Sequence, residues 1–289
     1  MRKEKSFINQ VNQSLAMKSY IQIPSLIKWT GSKRSLANQI SLLAPKHNRY
    51  IEPFLGGGAV LYCLAKPGSI ASDVYEPLMK IWQLVQEEPE KIIEDYKKKW
   101  QLLQKYFPNY FYEIRNRFNS YQNGQDLLFL SRTCTNGIIR FNSKGEFNNS
   151  LHVTRKGMHP DNFEKIVKKW NVKLDKIKLV AIDYREIIDS AKEGDFLYLD
   201  PPYSGSNNRY IQNLDVDIFF QNLEKLNSKG AKWALSFDGW RGSYSYINAI
   251  PCELYKQRIF LKSGNSAVKK VLNSSVEEVT ESLILNYRP

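Results

Sequence analysis

Hydrophobic positions along the chain change rhythm twice. From residue 25 onward, short continuous apolar runs alternate with helical spacing. Tyr50–Phe54 reads as a short buried strand, Gly56-Gly57-Gly58 as a turn, the run through Leu64 as a helix, and Ser69–Val74 as a second strand. Between 78 and 135 strand signals vanish. Ile92, Tyr96, Trp100, Leu103 and Phe107 recur at three- and four-residue steps, as do Phe111, Ile114, Phe118 and Tyr121, which predicts amphipathic helices whose aromatics pack a core. Ile138–Phe141 and Phe147–Asn148 flank a turn with hairpin character, where Gly145 can take positive φ. Phe163, Ile166, Val167, Trp170 and Leu174 mark another helix. Strand–helix alternation then returns, with strands expected at Lys178–Ile182, Phe196–Leu199, Trp233–Phe237, Leu254–Leu261 and Ser282–Tyr287, and a crossover helix through Phe219, Leu223 and Leu226. The pattern predicts an α/β domain over 25–80 and 176–289, interrupted by a mostly helical insert over 81–175. The polar stretch 1–24 is an extension, with Phe7, Ile8, Val11 and Leu15 at roughly helical spacing.

Charge adds a partner class. The 289 residues carry 42 Lys and Arg against 29 Asp and Glu, a formal charge of +13 that favours a polyanion. The excess is clustered: 138–176 holds nine basic and four acidic side chains, and 240–273 holds six and one. Cys63, Cys134 and Cys252 stand apart, as do His47, His152 and His159, so neither a zinc site nor a disulfide framework is expected. No apolar run approaches a membrane span and no signal-peptide core precedes the fold, which makes a cytoplasmic location the expectation.

Chemistry enters at two places. A strand, a glycine turn and a helix bring backbone close to a ligand, and Glu52-Pro-Phe-Leu-Gly-Gly-Gly58 follows that plan without the dinucleotide spacing. Asp73 ends the next strand, where a carboxylate can accept from ribose hydroxyls, and Asp183 is placed to meet an adenine amino group; the bland alternative for both is a helix cap or turn. No GxxxxGK[ST] phosphate loop is present, so a nucleoside without phosphates fits better, with S-adenosylmethionine the candidate. Trp29 is placed to cover its apolar or cationic part, and Lys33 to meet its methionine carboxylate or a DNA phosphate. The second place is Asp200-Pro201-Pro202-Tyr203, closing the apolar run Phe196–Leu199 at the carboxyl edge of the sheet. The Asp200 side chain and the Pro201 carbonyl can each accept one hydrogen of a planar amine, freeing its lone pair, while Tyr203 stacks on a base that has left its duplex. A methyl donor of this kind is already activated, so no metal is expected. Pro251-Cys252 has the form of a cytosine-attacking nucleophile, but it lacks an acidic partner motif and Cys252 is expected to pack.

These residues together are recognisable. From about residue 26 to the end, the chain resembles the Dam-type DNA adenine methyltransferases, including restriction-associated members. Lys28-Trp-Thr-Gly-Ser-Lys33 is similar to their N-terminal Lys-Trp-x-Gly-x-Lys, the stretch 52–58 to their glycine motif, Ser72-Asp73 to their ribose-binding position, and Asp200–Tyr203 to their catalytic motif. Residues 136–148 resemble the hairpin of their DNA-recognition region. The resemblance implies an S-adenosylmethionine-dependent methyltransferase (Rossmann-like) sheet with an inserted target-recognition domain. It implies methylation of the exocyclic amine of adenine in double-stranded DNA, and a cognate restriction endonuclease as a possible partner. It carries cofactor contacts to Trp29, Lys33, Phe54, Gly56, Gly58, Asp73, Asp183 and Asp200. Two departures stand out: Tyr75 occupies a position often Asn in the family, and Asn149-Ser-Leu-His152 replaces a Val-Pro-Phe-like sequence.

A two-stranded ribbon fits the major groove, and alternation puts Arg140, Asn142 and Lys144 on one face, Arg140 to pair with guanine and Asn142 with adenine; the alternative is that they touch phosphates or shape the turn. Arg155, Lys156, Lys168 and Lys169 read as phosphate contacts or solvated side chains, and Ser263–Ser266, with Asn265, Lys269 and Lys270, as a loop approaching DNA beside the active site. Two rival functions remain open at this level: an RNA adenine methyltransferase and a catalytically silent DNA-binding regulator. A protein glutamine methyltransferase would be expected to carry Asn rather than Asp at position 200.

Overall fold

The computed structural model describes residues 20–202, 214–241, 244–245, 250–265 and 278–289. The expected N-terminal helix, Tyr203, Lys269 and Lys270 lie outside the described residues, and so does the side chain of Asn265. Helix α1 (Ala37–Leu43) leads into strand β1 (Arg49–Glu52), α2 (Ala59–Leu64) and β2 (Ile70–Ser72). Four helices follow: α3 (Glu76–Glu87), α4 (Pro89–Lys105), α5 (Asn109–Tyr121) and α6 (Gly124–Thr133). Helix α7 (Pro160–Lys173) returns the chain to β3 (Lys178–Val180), α8 (Tyr184–Asp189), β4 (Asp195–Leu199) and α9 (Val216–Ser228), and then to β5 (Lys232–Arg241), β6 (Tyr244–Ser245), β7 (Gln257–Asn265) and β8 (Glu278–Leu285).

The sheet runs β3-β2-β1-β4-β5-β8-β7, with β6 beside β5. Strands β1 to β5 pair in parallel, whereas β8 runs antiparallel to both β5 and β7. Helices cover both faces, so the parallel strands carry apolar residues such as Tyr50-Ile51 and Phe196–Leu199 whose successive side chains enter opposite cores. Tyr50, Phe196 and Tyr198 enter the cluster under α1, α2, α3 and α7, while Ile51, Leu197 and Leu199 enter the cluster under α8 and α9. The first cluster runs unbroken into the helical insert, through Tyr96, Phe111, Phe118 and Phe163.

Strand ends differ from the sequence reading where a local breaker intervenes. Pro53 lacks an N–H, and β1 stops at Glu52. The strand expected from Leu254 starts only at Gln257, because Cys252–Leu254 forms a 3-10 turn. The same turn corrects the reading of Cys252 as a packed residue: it is exposed, with its Sγ 3.5 Å from the Glu253 carboxylate. It does not line the ligand cavity, and so is no nucleophile for a bound base. The expected hairpin closes through one bridge, Phe141 to Phe147, rather than two full strands. Among the described residues, no helix is long and apolar enough to cross a membrane.

Candidate active site

Strand order reverses between β1, which leads on to β2, and β4, and ligands of open α/β sheets bind at the carboxyl ends of strands flanking such a point. A cavity of about 260 Å³ opens there. The glycine turn forms its floor for two steric reasons. Gly56 and Gly58 adopt φ of +46° and +65°, values that favour glycine. A Cβ at Gly56 would also lie 2.9 Å from Trp29 Cδ1, and one at Gly58 3.1 Å from the rings of Trp82 and Trp170. These two tryptophans come from the insert, pack with ring centroids 4.7 Å apart, and are fully buried. The Trp82 indole N–H donates to the Gly56 carbonyl at 3.1 Å, and that of Trp170 to the Pro24 carbonyl at 2.9 Å. The helical insert therefore holds the ligand floor in place as well as carrying the hairpin.

Asp73 closes the turn from β2. Its Oδ2 accepts from the Gly56 N–H at 3.1 Å and its Oδ1 from the Tyr75 N–H at 3.0 Å. Burial pushes its carboxyl up to about 6, against the downward pull of these backbone donors. Part of its surface still faces the cavity. Asp183 is the N-cap of α8, accepting from the Arg185 N–H at 2.9 Å, and it pairs with the Arg185 guanidinium at 2.7 Å. Burial pushes its carboxyl up, but the hydrogen bonds and charge of Arg185 outweigh that and hold it below the usual carboxylate range. The capping alternative raised for Asp183 is thus real, although the residue also lines the cavity.

Lys33 has neighbours that the sequence did not indicate. It is 6% exposed, and its ammonium lies 3.1 Å from Asp200 Oδ1, 3.1 Å from Glu281 Oε2 and 3.4 Å from the Gly31 carbonyl. Below them, Glu52 is buried and lines the cavity, with the Tyr50 hydroxyl donating to it at 2.5 Å. Burial pushes the Glu52 carboxyl well up; the Tyr50 hydrogen bond opposes this and the charge of Asp200 adds to it. Burial and the neighbouring Asp200 thus both disfavour the charged form of Glu52.

One cavity thus gathers Trp29, Lys33, Phe54, Gly56, Gly58, Asp73, Asp183, Asp200 and Pro202, each singled out from the sequence. Pro201 is buried beside them. Glu52, Glu281 and the cavity-lining Tyr184 were not given roles from sequence. Tyr75, noted only as a departure, donates through its hydroxyl to Gln122 at 3.1 Å and packs on Trp29 and on Phe141 of the hairpin, at 6.1 and 5.8 Å between ring centroids. It thereby joins the cavity to the hairpin. Among the described residues, no group of three or more His, Cys, Asp or Glu side chains is arranged to hold a metal ion.

On the hairpin, Ile139 and Phe141 are buried and Arg140 and Lys144 exposed, as alternation predicts. Arg140 Nε donates to Asn148 Oδ1 at 2.9 Å. Asn142 departs from the base-reading expectation. Its Oδ1 accepts from the backbone N–H groups of Lys144 and Glu146, and its Nδ2 donates to Glu146 Oε2 at 2.8 Å. That is an Asx-type turn, and it favours the turn-shaping alternative for this residue. Arg155 and Lys156 are exposed, with Lys156 Nζ 4.7 Å from the Phe107 ring centroid. Burial, then the charges of Arg132, Arg155 and Arg34, lower the pKa of Lys28, which marks a cationic cluster around the start of the Lys-Trp motif. Lys168 is bonded to Glu164 at 2.5 Å on the surface of α7.

Sheet order, the switch-point cavity and the Asp200 edge are consistent with the fold class of S-adenosylmethionine-dependent methyltransferases. Residues 29–266 match the family described as D12 class N6 adenine-specific DNA methyltransferase, and the chain belongs to that family. It is 31% identical over 248 residues to a type II methyltransferase of Methanocaldococcus jannaschii, covering 75% of this chain and 84% of that one. A type II methyltransferase of Lactococcus lactis subsp. cremoris is 26% identical across 95% of this chain and 99% of its own length. A DNA adenine methylase of Haemophilus influenzae is 28% identical over 65% of this chain and 67% of its own. The protein is an adenine-specific DNA methyltransferase, which sets aside the RNA and silent-regulator readings.

Proposed function

We propose that the enzyme takes its methyl group from S-adenosylmethionine and delivers it to the N6 amine of an adenine flipped out of duplex DNA into the Asp200 edge of the cavity. The observation that carries this reading is the convergence of Asp73, Asp183, Asp200 and Lys33 on one switch-point cavity. The donor set suits a nucleoside without phosphates. Asp73 offers acceptor lone pairs to ribose hydroxyls, and Phe54 and Tyr184, 5.2 Å apart between ring centroids, flank the adenine side. The cavity-lining cations, Lys33 and Arg185, are both already paired with carboxylates. When bound, S-adenosylmethionine supplies a methyl carbon made electrophilic by its sulfonium.

The chain's own work is on the amine. An adenine N6 is a weak nucleophile because its lone pair is delocalised into the ring. Asp200 and the Pro201 carbonyl accept its two hydrogens, favour pyramidal nitrogen and stabilise the positive charge that develops there. Lys33 meets Asp200 at Oδ1 and so orients its carboxylate toward the cavity. Tyr203 is assigned by sequence to stack on the base. Transfer of labelled methyl from S-adenosylmethionine to duplex DNA, single-stranded DNA and RNA tests the reading. Duplex DNA is expected to be labelled at adenine N6; label arriving only in single strands or RNA would reject it.

Arg140, Arg155 and Lys156 are proposed to meet the duplex, Arg140 at a base edge and the others at phosphates. Arg155→Ala is expected to weaken binding to all duplex sequences alike and to reduce the slope of log affinity against log salt by about 0.9. A change in sequence preference with the slope intact, seen in titrations at several salt concentrations, would place Arg155 at a base instead. Two relatives carry the name type II methyltransferase, and a cognate restriction endonuclease is accordingly the proposed partner here, with the cytoplasm the proposed location.

A further inference from the structure

We infer that Glu281 is a positioning residue for methyl transfer, acting on Asp200 through Lys33. Two-residue periodicity puts Glu281 on the face of β8 that also carries Leu283 and Leu285, both packed with Tyr198 in the first hydrophobic cluster. Strand β8 is the antiparallel strand beside β5, so Glu281 reaches the Asp200 edge from the far end of the chain. Its carboxylate does not line the cavity, so it does not act by touching a bound ligand. It meets Lys33, and its Oε2 is buried with no aligned hydrogen bond, leaving the 3.1 Å ion pair with Nζ as its contact.

The chemistry follows from sharing one cation between two anions. A buried ammonium needs counter-charge, and without Glu281 it would draw more of it from Asp200. That would pull electron density toward Nζ and weaken Asp200 as an acceptor for the amine of the base. Glu281 takes part of the ammonium's charge, so Lys33 fixes the orientation of Asp200 through one oxygen without neutralising it. The Gly31 carbonyl, 3.4 Å away, is a further acceptor for the ammonium.

This inference rests on Asp200 being the acceptor of the amine hydrogens, and its test separates the two claims. Single-turnover methylation of a duplex oligonucleotide is compared for wild type, Glu281→Gln and Glu281→Asp at saturating S-adenosylmethionine and DNA. Glu281→Gln is expected to slow the step about tenfold, the scale of one charge-assisted interaction. KM for either substrate should stay within about twofold of wild type, because the lost interaction concerns the transition state. Glu281→Asp keeps the charge at shorter reach and is expected to recover part of the rate. A full rate in Glu281→Gln overturns the inference. So does a raised KM for S-adenosylmethionine at unchanged rate, which would make Glu281 a cofactor contact, or an aspartate variant no better than glutamine, which would make it a packing residue. If Asp200→Ala remains active, the underlying reading fails; if that variant is dead while Glu281→Gln is fully active, only this inference fails.

Discussion

Asp200→Ala is expected to reduce single-turnover methylation by at least about 100-fold, the usual cost of removing one preorganised electrostatic partner from an active site. Strand β4 is buried along its whole length, and Asp200 follows it at the sheet edge with its side chain in the cavity. Alanine removes an acceptor for one amine hydrogen, so the nitrogen loses both an orienting contact and a counter-charge for the transition state. It also takes one carboxylate partner from the buried Lys33, leaving its positive charge less compensated where positive charge must develop. Asp200→Asn keeps an oxygen acceptor and is expected to fall between the two. The check is transfer of labelled methyl at saturating substrates, alongside a measurement of duplex binding. Binding should persist in Asp200→Ala, since phosphate contacts dominate affinity for DNA. Wild-type turnover by the alanine variant would end the amine-acceptor mechanism.

Residues whose role depends on immediate neighbours were legible from sequence. Asp200-Pro201-Pro202 follows its strand directly, and the glycine turn follows β1, so an apolar run with its breaker gave the location at the sheet edge. Asp73 was legible for the same reason. What sequence could not show were contacts between distant segments. Glu281 meets Lys33 only because β8 inserts antiparallel next to β5, and no local pattern marks it. Trp82 and Trp170 belong to helices whose periodicity says only that they face inward; that they meet over Gly58 is a consequence of α3 and α7 packing together. Asn142 shows the opposite limit. Alternation placed it correctly beside Arg140 and Lys144, but a short polar side chain at a turn is claimed by neighbouring backbone N–H groups before any base can claim it. Cys252 was misplaced because Cys252–Leu254 forms an exposed 3-10 turn and the strand expected from Leu254 begins only at Gln257.

Asp73→Ala should weaken binding of S-adenosylmethionine or its demethylated product about 100-fold, roughly 3 kcal/mol, by removing two hydrogen bonds to a charged acceptor. Each Asp73 oxygen already accepts one backbone N–H, and each has acceptor capacity left for a ribose hydroxyl. The carboxylate therefore holds the ligand and the turn beneath it together, and the alanine variant should also loosen Gly56. In the wild type, the same group makes binding depend on pH. Its ordinary value of 3.8 is raised to about 6 by burial. A carboxyl raised on folding favours the folded state below its unfolded value and costs stability as pH climbs through about 6. Ligand binding carries the reverse sign, because ribose hydroxyls donate to the ionised form. Affinity should be full above about pH 7 and fall roughly tenfold by pH 5, one unit below the raised value, with about one proton released on binding at that pH. Calorimetric titration in buffers of different ionisation enthalpy reads both the affinity and the proton count. Asp73→Asn, which cannot titrate, should bind weakly at every pH and show neither the fall nor the proton release. A wild-type affinity flat from pH 5 to pH 8 would remove Asp73 from the ribose site.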